Sequence, residues 1–114
     1  NHRDFYLCHF LLLPESLEQA SSVTQIRCHL IDLHRAGLRR AVPLRWRIKD
    51  VAGLFYSAMD IGLTRRDLLR AMALYTGKSW RRTLSEDRSF WLAVRRRAET
   101  LYQKDMGREA PRWI

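Results

Sequence analysis

The hydrophobic period of this chain changes once, and that change sets the fold class. Up to residue 33 the apolar residues come in nearly unbroken runs: 5–13 (FYLCHFLLL, closed by Pro14) and 26–33 (IRCHLIDL). Runs of that length suit strands buried on both faces, paired as a hairpin across the polar stretch 14–25, which reads as a loop with at most a short helical turn. From Leu44 onward the spacing is helical. Ile48, Val51, Ala52, Phe55 and Met59 form one stripe, which Asp60-Ile61-Gly62 ends. Thr64 with Asp67 makes a capping box for a second helix over 65–76, with Leu68, Leu69, Met72 and Tyr75 on one face and Gly77 just past its end. A third helix is expected from a Ser85 cap, with Glu86 and Asp87 in its first turn, Phe90, Val94, Ala98 and Leu101 inward, and an end near Gly107. Strands first and helices after give an α+β chain, mainly α. Nothing alternates as βαβ, and the glycines at 37, 53, 62, 77 and 107 form no phosphate-cradling loop, which argues against a doubly wound nucleotide fold.

The charge divides at nearly the same place. Residues 1–33 hold two arginines against four acids, a net −2, whereas residues 34–114 hold 19 bases against eight acids, a net +11. Eighteen of the 21 bases are arginine, whose planar fork suits phosphate and carboxylate, so the second segment calls for an anionic partner. Arg95-Arg96-Arg97 lie mid-helix, where successive residues spread around the axis, and they read as a solvated face rather than one patch. With 114 residues and 46% hydrophobic side chains, the chain is one domain with one core; it is neither a disordered tail nor long enough in any apolar run to cross a membrane. Cys8-His9 and Cys28-His29 lack the spacing of zinc ligands, and both thiols are expected free and buried. His29 and His34 are expected to be ordinary core or surface histidines.

Chemistry concentrates at the start. His2-Arg3-Asp4 is followed five residues later by His9, and the second apolar run ends in Ile31-Asp32-Leu33. Together with HRDFYLCHFLL and IDLHRA, the stretch VPLRWRIKDVAGLFYSAMDIGLTRRDLLR resembles the lipopolysaccharide core heptose(I) kinases, members of the lipopolysaccharide kinase family with a protein-kinase-like fold. The likeness runs from Asn1 to about Tyr102. It implies a partial C-terminal lobe, residues 1–114, in which a β-hairpin carries the catalytic and metal loops and about three helices follow. It further implies transfer of the ATP γ-phosphoryl group to heptose I of the inner core, with Mg²⁺, at the cytoplasmic face of the inner membrane of Gram-negative bacteria.

Carried over by residue, the resemblance makes Asp4 the catalytic-loop carboxylate, with His2 and Arg3 as scaffold of that loop, and Asp32 the metal-binding aspartate. His9 stands where protein kinases keep a metal-binding Asn, and either ligates the metal, touches a phosphate oxygen or positions Asp4. Leu33-His34 replaces the Phe-Gly that follows the metal-binding Asp in protein kinases. Arg35, Arg39, Arg40, Arg45, Arg47 and Lys49 follow the metal loop and are expected to wall the site for an anionic acceptor. The implied partners are the lipopolysaccharide core and the inner-membrane surface as a peripheral site; the basic helices also suit acyl carrier protein or membrane lipids as a binding partner. Nucleic acid is not expected, because no helix-turn-helix spacing or ribonucleoprotein aromatic pattern is present. The alternatives are a basic helical nucleic-acid-binding module or a binding-only pseudokinase fragment. No Gly-rich loop or strand lysine with its Glu partner precedes Asn1, so the chain is expected to be a piece of a longer protein, inefficient on its own.

Overall fold

The computed structural model describes residues 1–112. Two short strands, β1 (Phe10–Leu12) and β2 (Cys28–Leu30), pair antiparallel with Phe10 opposite Leu30, Leu11 opposite His29 and Leu12 opposite Cys28. Between them lie α1 (Pro14–Gln19) and a 3-10 turn at Val23–Gln25. Pro14 opens α1 at a position where its missing N–H and fixed φ are no handicap. Four helices follow: α2 (Leu44–Ser57), α3 (Arg65–Thr76), α4 (Trp80–Glu86) and α5 (Arg88–Met106).

The hairpin departs from its expected form. Each strand has three residues, the first apolar run begins as loop and a 3-10 turn at Leu7–His9, and neither strand is buried on both faces. Leu11, Leu12, Leu13, Leu30, Ile31 and Leu33 are all exposed. Cys8 and Cys28 are free but exposed, which corrects the expectation of buried thiols: Cys8 sits in the 3-10 turn, and Cys28 lies on the open strand.

The core lies between α2 and α5. Ala52 and Ala98 are wholly buried, and their small side chains let the two helices approach closely around Met59, Val94 and Tyr102. Ile48, Val51, Phe55, Phe90 and Trp91 pack against that cluster. Fully burying side chains such as Met and Val contributes about 1.5–3 kcal/mol each. The buried Tyr102 hydroxyl donates to Asp60, at 2.8 Å to Oδ1, in the turn that ends α2. Tyr102, rather than Leu101, closes the inner face of α5.

The α3 caps follow the sequence reading. Thr64 accepts from the Asp67 N–H, Asp67 accepts from the Thr64 N–H, and Gly77 ends the helix at φ 68°. The expected third helix is instead two. Ser79, not Ser85, caps α4 by accepting from the Arg82 N–H. Glu86 belongs to α4 and Asp87 joins α4 to α5; both carboxylates turn back to Lys78, at 3.1 and 2.8 Å.

Candidate active site

His2 is the buried anchor of the site. Its Nδ1 accepts from the Asp4 N–H at 3.2 Å, so the ring hydrogen sits on Nε2, which donates to the Ile31 carbonyl at 2.9 Å. One ring thus ties the Asp4 loop to the end of the run that carries Asp32. The Asp50 carboxylate of α2 completes the anchor, accepting the His2 N–H at 2.8 Å and the Arg3 N–H at 3.1 Å. Those bonds matter because Arg3 is left-handed, at φ 74°. A non-glycine residue held there costs about 1–2 kcal/mol, and charge-assisted bonds to its N–H and its neighbour's offset that. Asp32 is left-handed as well, at φ 60°, a conformation Asp tolerates better.

Two more positions on the same side of α2 receive the loop. Gly53 is buried, and a Cβ there would lie 3.2 Å from the Phe5 carbonyl oxygen and 3.2 Å from the Tyr6 ring. Ser57 Oγ accepts the Leu7 N–H at 2.8 Å. Asp50, Gly53 and Ser57 fall at helical spacing, one stripe beside the apolar one. The apolar stripe is what sequence reading found; the signal it passed over was an acid, a glycine and a serine recurring along a helix otherwise turned to the core.

A single imidazole links the Asp4 backbone to the Asp32 carboxylate. His9 Nδ1 lies 2.6 Å from the Asp4 carbonyl oxygen, which can only accept, so Nδ1 carries the hydrogen. The other ring nitrogen, Nε2, lies 3.4 Å from Asp32 Oδ2.

The turn Leu33–Ala36, closed by the Ala36 N–H on the Leu33 carbonyl at 2.9 Å, covers both carboxylates. His34 Nδ1 donates to Asp32 Oδ1 in a short hydrogen bond. Arg35 clasps Asp4 with both arms of its fork: Nε donates to Oδ2 at 2.8 Å, and Nη2 to Oδ1. The Arg35 hydrogen bond holds the Asp4 carboxyl below its usual range, outweighing the opposing effect of burial, and Asp4 in turn raises Arg35. His34 therefore touches the site, where sequence reading had it as an ordinary histidine. His29 lies on the open strand opposite Leu11.

The basic set divides. Arg45 and Lys49 on α2 gather with Arg3 around Trp46, their charged groups 5.2–5.4 Å from the ring centroid. Arg47 points elsewhere, over the Phe90 ring at 5.2 Å beside Tyr75, within the aromatic contacts of α3 and α5. Arg39 and Arg40 are exposed on the connection into α2. Among the described residues, no group of three or more His, Cys, Asp or Glu side chains is placed to hold a metal ion by itself.

Comparison with known proteins identifies relatives of this chain. The model of the lipopolysaccharide kinase (Kdo/WaaP) family matches residues 1–75. The chain is 46% identical over 104 residues to the lipopolysaccharide core heptose(I) kinase WaaP of Pseudomonas aeruginosa, covering 91% of this chain and 38% of that protein. It is 42% identical over 104 residues to the kinase of the same name from Escherichia coli K12, with the same coverage. A solved structure described as WaaP in complex with acyl carrier protein superposes with a TM-score of 0.74 at 47% identity, covering 90% of this chain and 41% of that one. The chain thus spans about two fifths of the length of the relatives it matches. Its helices and hairpin take the kinase-like arrangement of that solved relative. With the family model matching well over half of its length, the chain belongs to the lipopolysaccharide kinase (Kdo/WaaP) family.

Proposed function

We propose that this chain supplies the catalytic and metal loops of an ATP-dependent kinase acting on heptose I of the lipopolysaccharide inner core. The observation that carries the reading is that the turn Leu33–Ala36 reaches both carboxylates, Arg35 bonding Asp4 and His34 bonding Asp32, with His9 between the Asp4 backbone and the Asp32 side chain. The names of the relatives give the acceptor its identity.

In this reading the acceptor hydroxyl attacks the γ-phosphorus of ATP. A new O–P bond forms, the bond to the β-phosphate oxygen breaks, ADP leaves, and the hydroxyl proton passes to the Asp4 carboxylate. His2 and Asp50 keep that carboxylate in place through the backbone. Asp32 would hold Mg²⁺, with His9 Nε2 beside it. The donor set fits an ion that takes one or two protein carboxylates and completes its shell with phosphate and water. Bound there, Mg²⁺ would neutralise charge on the phosphates. Arg3, Arg45 and Lys49 around Trp46 would present positive charge beside the catalytic loop to an anionic sugar.

Acyl carrier protein is the proposed protein partner, on the strength of the solved relative's complex and the net positive charge of residues 34–114. The proposed location is peripheral, on the cytoplasmic face of the inner membrane. Among the described residues no helix is long and apolar enough to cross a membrane.

The test uses the full-length protein carrying this segment, with labelled ATP and core lipopolysaccharide lacking heptose phosphate. Asp4→Asn should lower transfer by about 10²–10⁴-fold, the usual contribution of a positioned base. Wild-type transfer confined to another acceptor, or an Asp4→Asn protein as active as wild type, would overturn the reading.

A further inference from the structure

Arg35 stands out because it occupies both oxygens of the carboxylate that the kinase reading needs as a base. A carboxylate whose oxygens each accept a guanidinium bond is a weaker base and more crowded than a free one, so proton transfer from a substrate hydroxyl is favoured once the fork lets go. The Asp4 side chain is only 15% exposed, so there is little room for it to turn aside. The Arg35 side chain is 50% exposed, and its backbone is fixed by the turn three residues past Asp32. The mobile partner is therefore Arg35: a long arm on a fixed pivot, beside the carboxylate proposed to hold the nucleotide's metal. Its pKa responds to Asp32 as well as to Asp4, so the guanidinium already lies within the field of both acids.

From this we infer that Arg35 is a latch and a phosphate-binding residue in one. It clasps Asp4 until a triphosphate enters, then transfers its fork to the oxygens of the terminal phosphate and leaves Asp4 open to the acceptor hydroxyl. The exchange is chemically even-handed: a guanidinium binds carboxylate and phosphate through the same two-pronged geometry, and the triphosphate brings more negative charge than one carboxylate. Such a device couples arrival of the phosphoryl donor to exposure of the base. It also suppresses nucleotide affinity, because part of the Arg35–phosphate bond is spent breaking the clasp.

The inference rests on the kinase reading, and a double-mutant cycle separates the two. Affinity for a non-hydrolysable ATP analogue and for ADP, each with Mg²⁺, is measured in the full-length wild type, Arg35→Ala, Asp4→Asn and the double variant. Asp4→Asn loosens the clasp, so Arg35 should contribute fully there. Arg35→Ala should weaken the triphosphate analogue by about tenfold in the Asp4→Asn background and by about threefold or less in the wild-type background. ADP, lacking the terminal phosphate, should lose less than the analogue in both backgrounds. Arg35→Lys, which keeps the charge but not the fork, should fall between wild type and Arg35→Ala, and it serves should the alanine protein fail to fold.

Simple repulsion between Asp4 and the phosphates predicts instead that Arg35→Ala has the same effect in both backgrounds. That result, or equal losses for ADP and the triphosphate analogue, would overturn the latch. Neither result touches the kinase reading, which stands or falls on phosphoryl transfer by Asp4→Asn.

Discussion

The two halves of the molecule are held together by different forces. Residues 44–112 contain every buried hydrophobic side chain among the described residues, packed between α2 and α5. Residues 1–43 contain all the proposed reacting groups and one buried side chain, His2, which is polar. The radius of gyration, 15.1 Å, exceeds the roughly 13 Å of a compact domain of this length, as expected when one part stands off from the core. The site half is therefore positioned less by packing than by hydrogen bonds to one face of α2, through Asp50, Gly53 and Ser57. A helix core provides a rigid face, and a polar loop hung on it can keep partly buried carboxylates and left-handed residues that no apolar core would hold.

The harshest way to break this contrast is to attack the core. Met59 is 4% exposed within the α2–α5 cluster, and Met59→Ala should cost about 2–5 kcal/mol. In the full-length protein, thermal melting should shift downward and activity should fall along the same curve, because the site loses the face it hangs from. Activity surviving well above the melting of the helices would show that the loop does not depend on α2.

Asp50→Ala tests the opposite dependence. It leaves the His2 and Arg3 N–H groups without their acceptor, and two bonds to a carboxylate are together worth about 3–6 kcal/mol at most. Solvent reaching the loop should reduce that to about 2–3 kcal/mol of local stability. Amide exchange should quicken in residues 2–9 while α5 stays protected, and transfer should drop by about 10²-fold or more as Arg3 leaves its left-handed conformation. Uniform loss of protection across both halves would show that they fold as one unit.

Gly53→Val gives a graded version. Its Cβ would press on the Phe5 carbonyl oxygen and the Tyr6 ring at 3.2 Å, and the further methyl groups would push the loop away from α2, at about 1–3 kcal/mol. The expected signature is a fall in kcat with melting lowered less than by Met59→Ala. An unchanged kcat would mean that the loop's distance from α2 does not control Asp4.

The same contrast explains what the sequence could disclose. The helices α2, α3 and the body of α5 were legible because periodicity and caps are local: Thr64 with Asp67, and Gly77 and Gly107 at φ 68° and 65°. The short helix α4 was not, because its one buried residue is Thr83, a polar side chain bonded to Thr76 at 2.7 Å, so it shows no apolar stripe. Ser85-Glu86-Asp87 has the composition of a cap, yet Lys78 claims both acids from across the α3–α4 turn. The apolar runs at 5–13 and 26–33 announced strands, but burial depends on what lies over a strand, which its own pattern does not encode. At the site, the kinase-like motif singled out Asp4, Asp32 and His9, which the fold brings into one neighbourhood. Asp50, His34 and the clasp by Arg35 were not, since each acts through a contact made only by the tertiary fold.

The gentlest test concerns the polar contact that joins α2 to the end of α5. The Tyr56 hydroxyl donates to Asp105 at 2.7 Å, and this bond, with burial adding to it, pushes the phenol from 10.0 up to about 12. A raised folded-state value means that the proton is held more tightly in the folded protein. The contribution to stability is thus fully present below pH 10 and is lost as pH rises through about 12. Tyr56→Phe should flatten the alkaline fall in melting temperature across that window and remove one late-titrating phenol from the tyrosinate absorbance curve. Because this contact lies wholly within the helical half, the variant should leave nucleotide affinity and transfer unchanged near neutral pH. A change in either would show that the α2–α5 seam acts on the Asp4 loop through Tyr6, whose ring stands edge-on to Tyr56 at 6.3 Å.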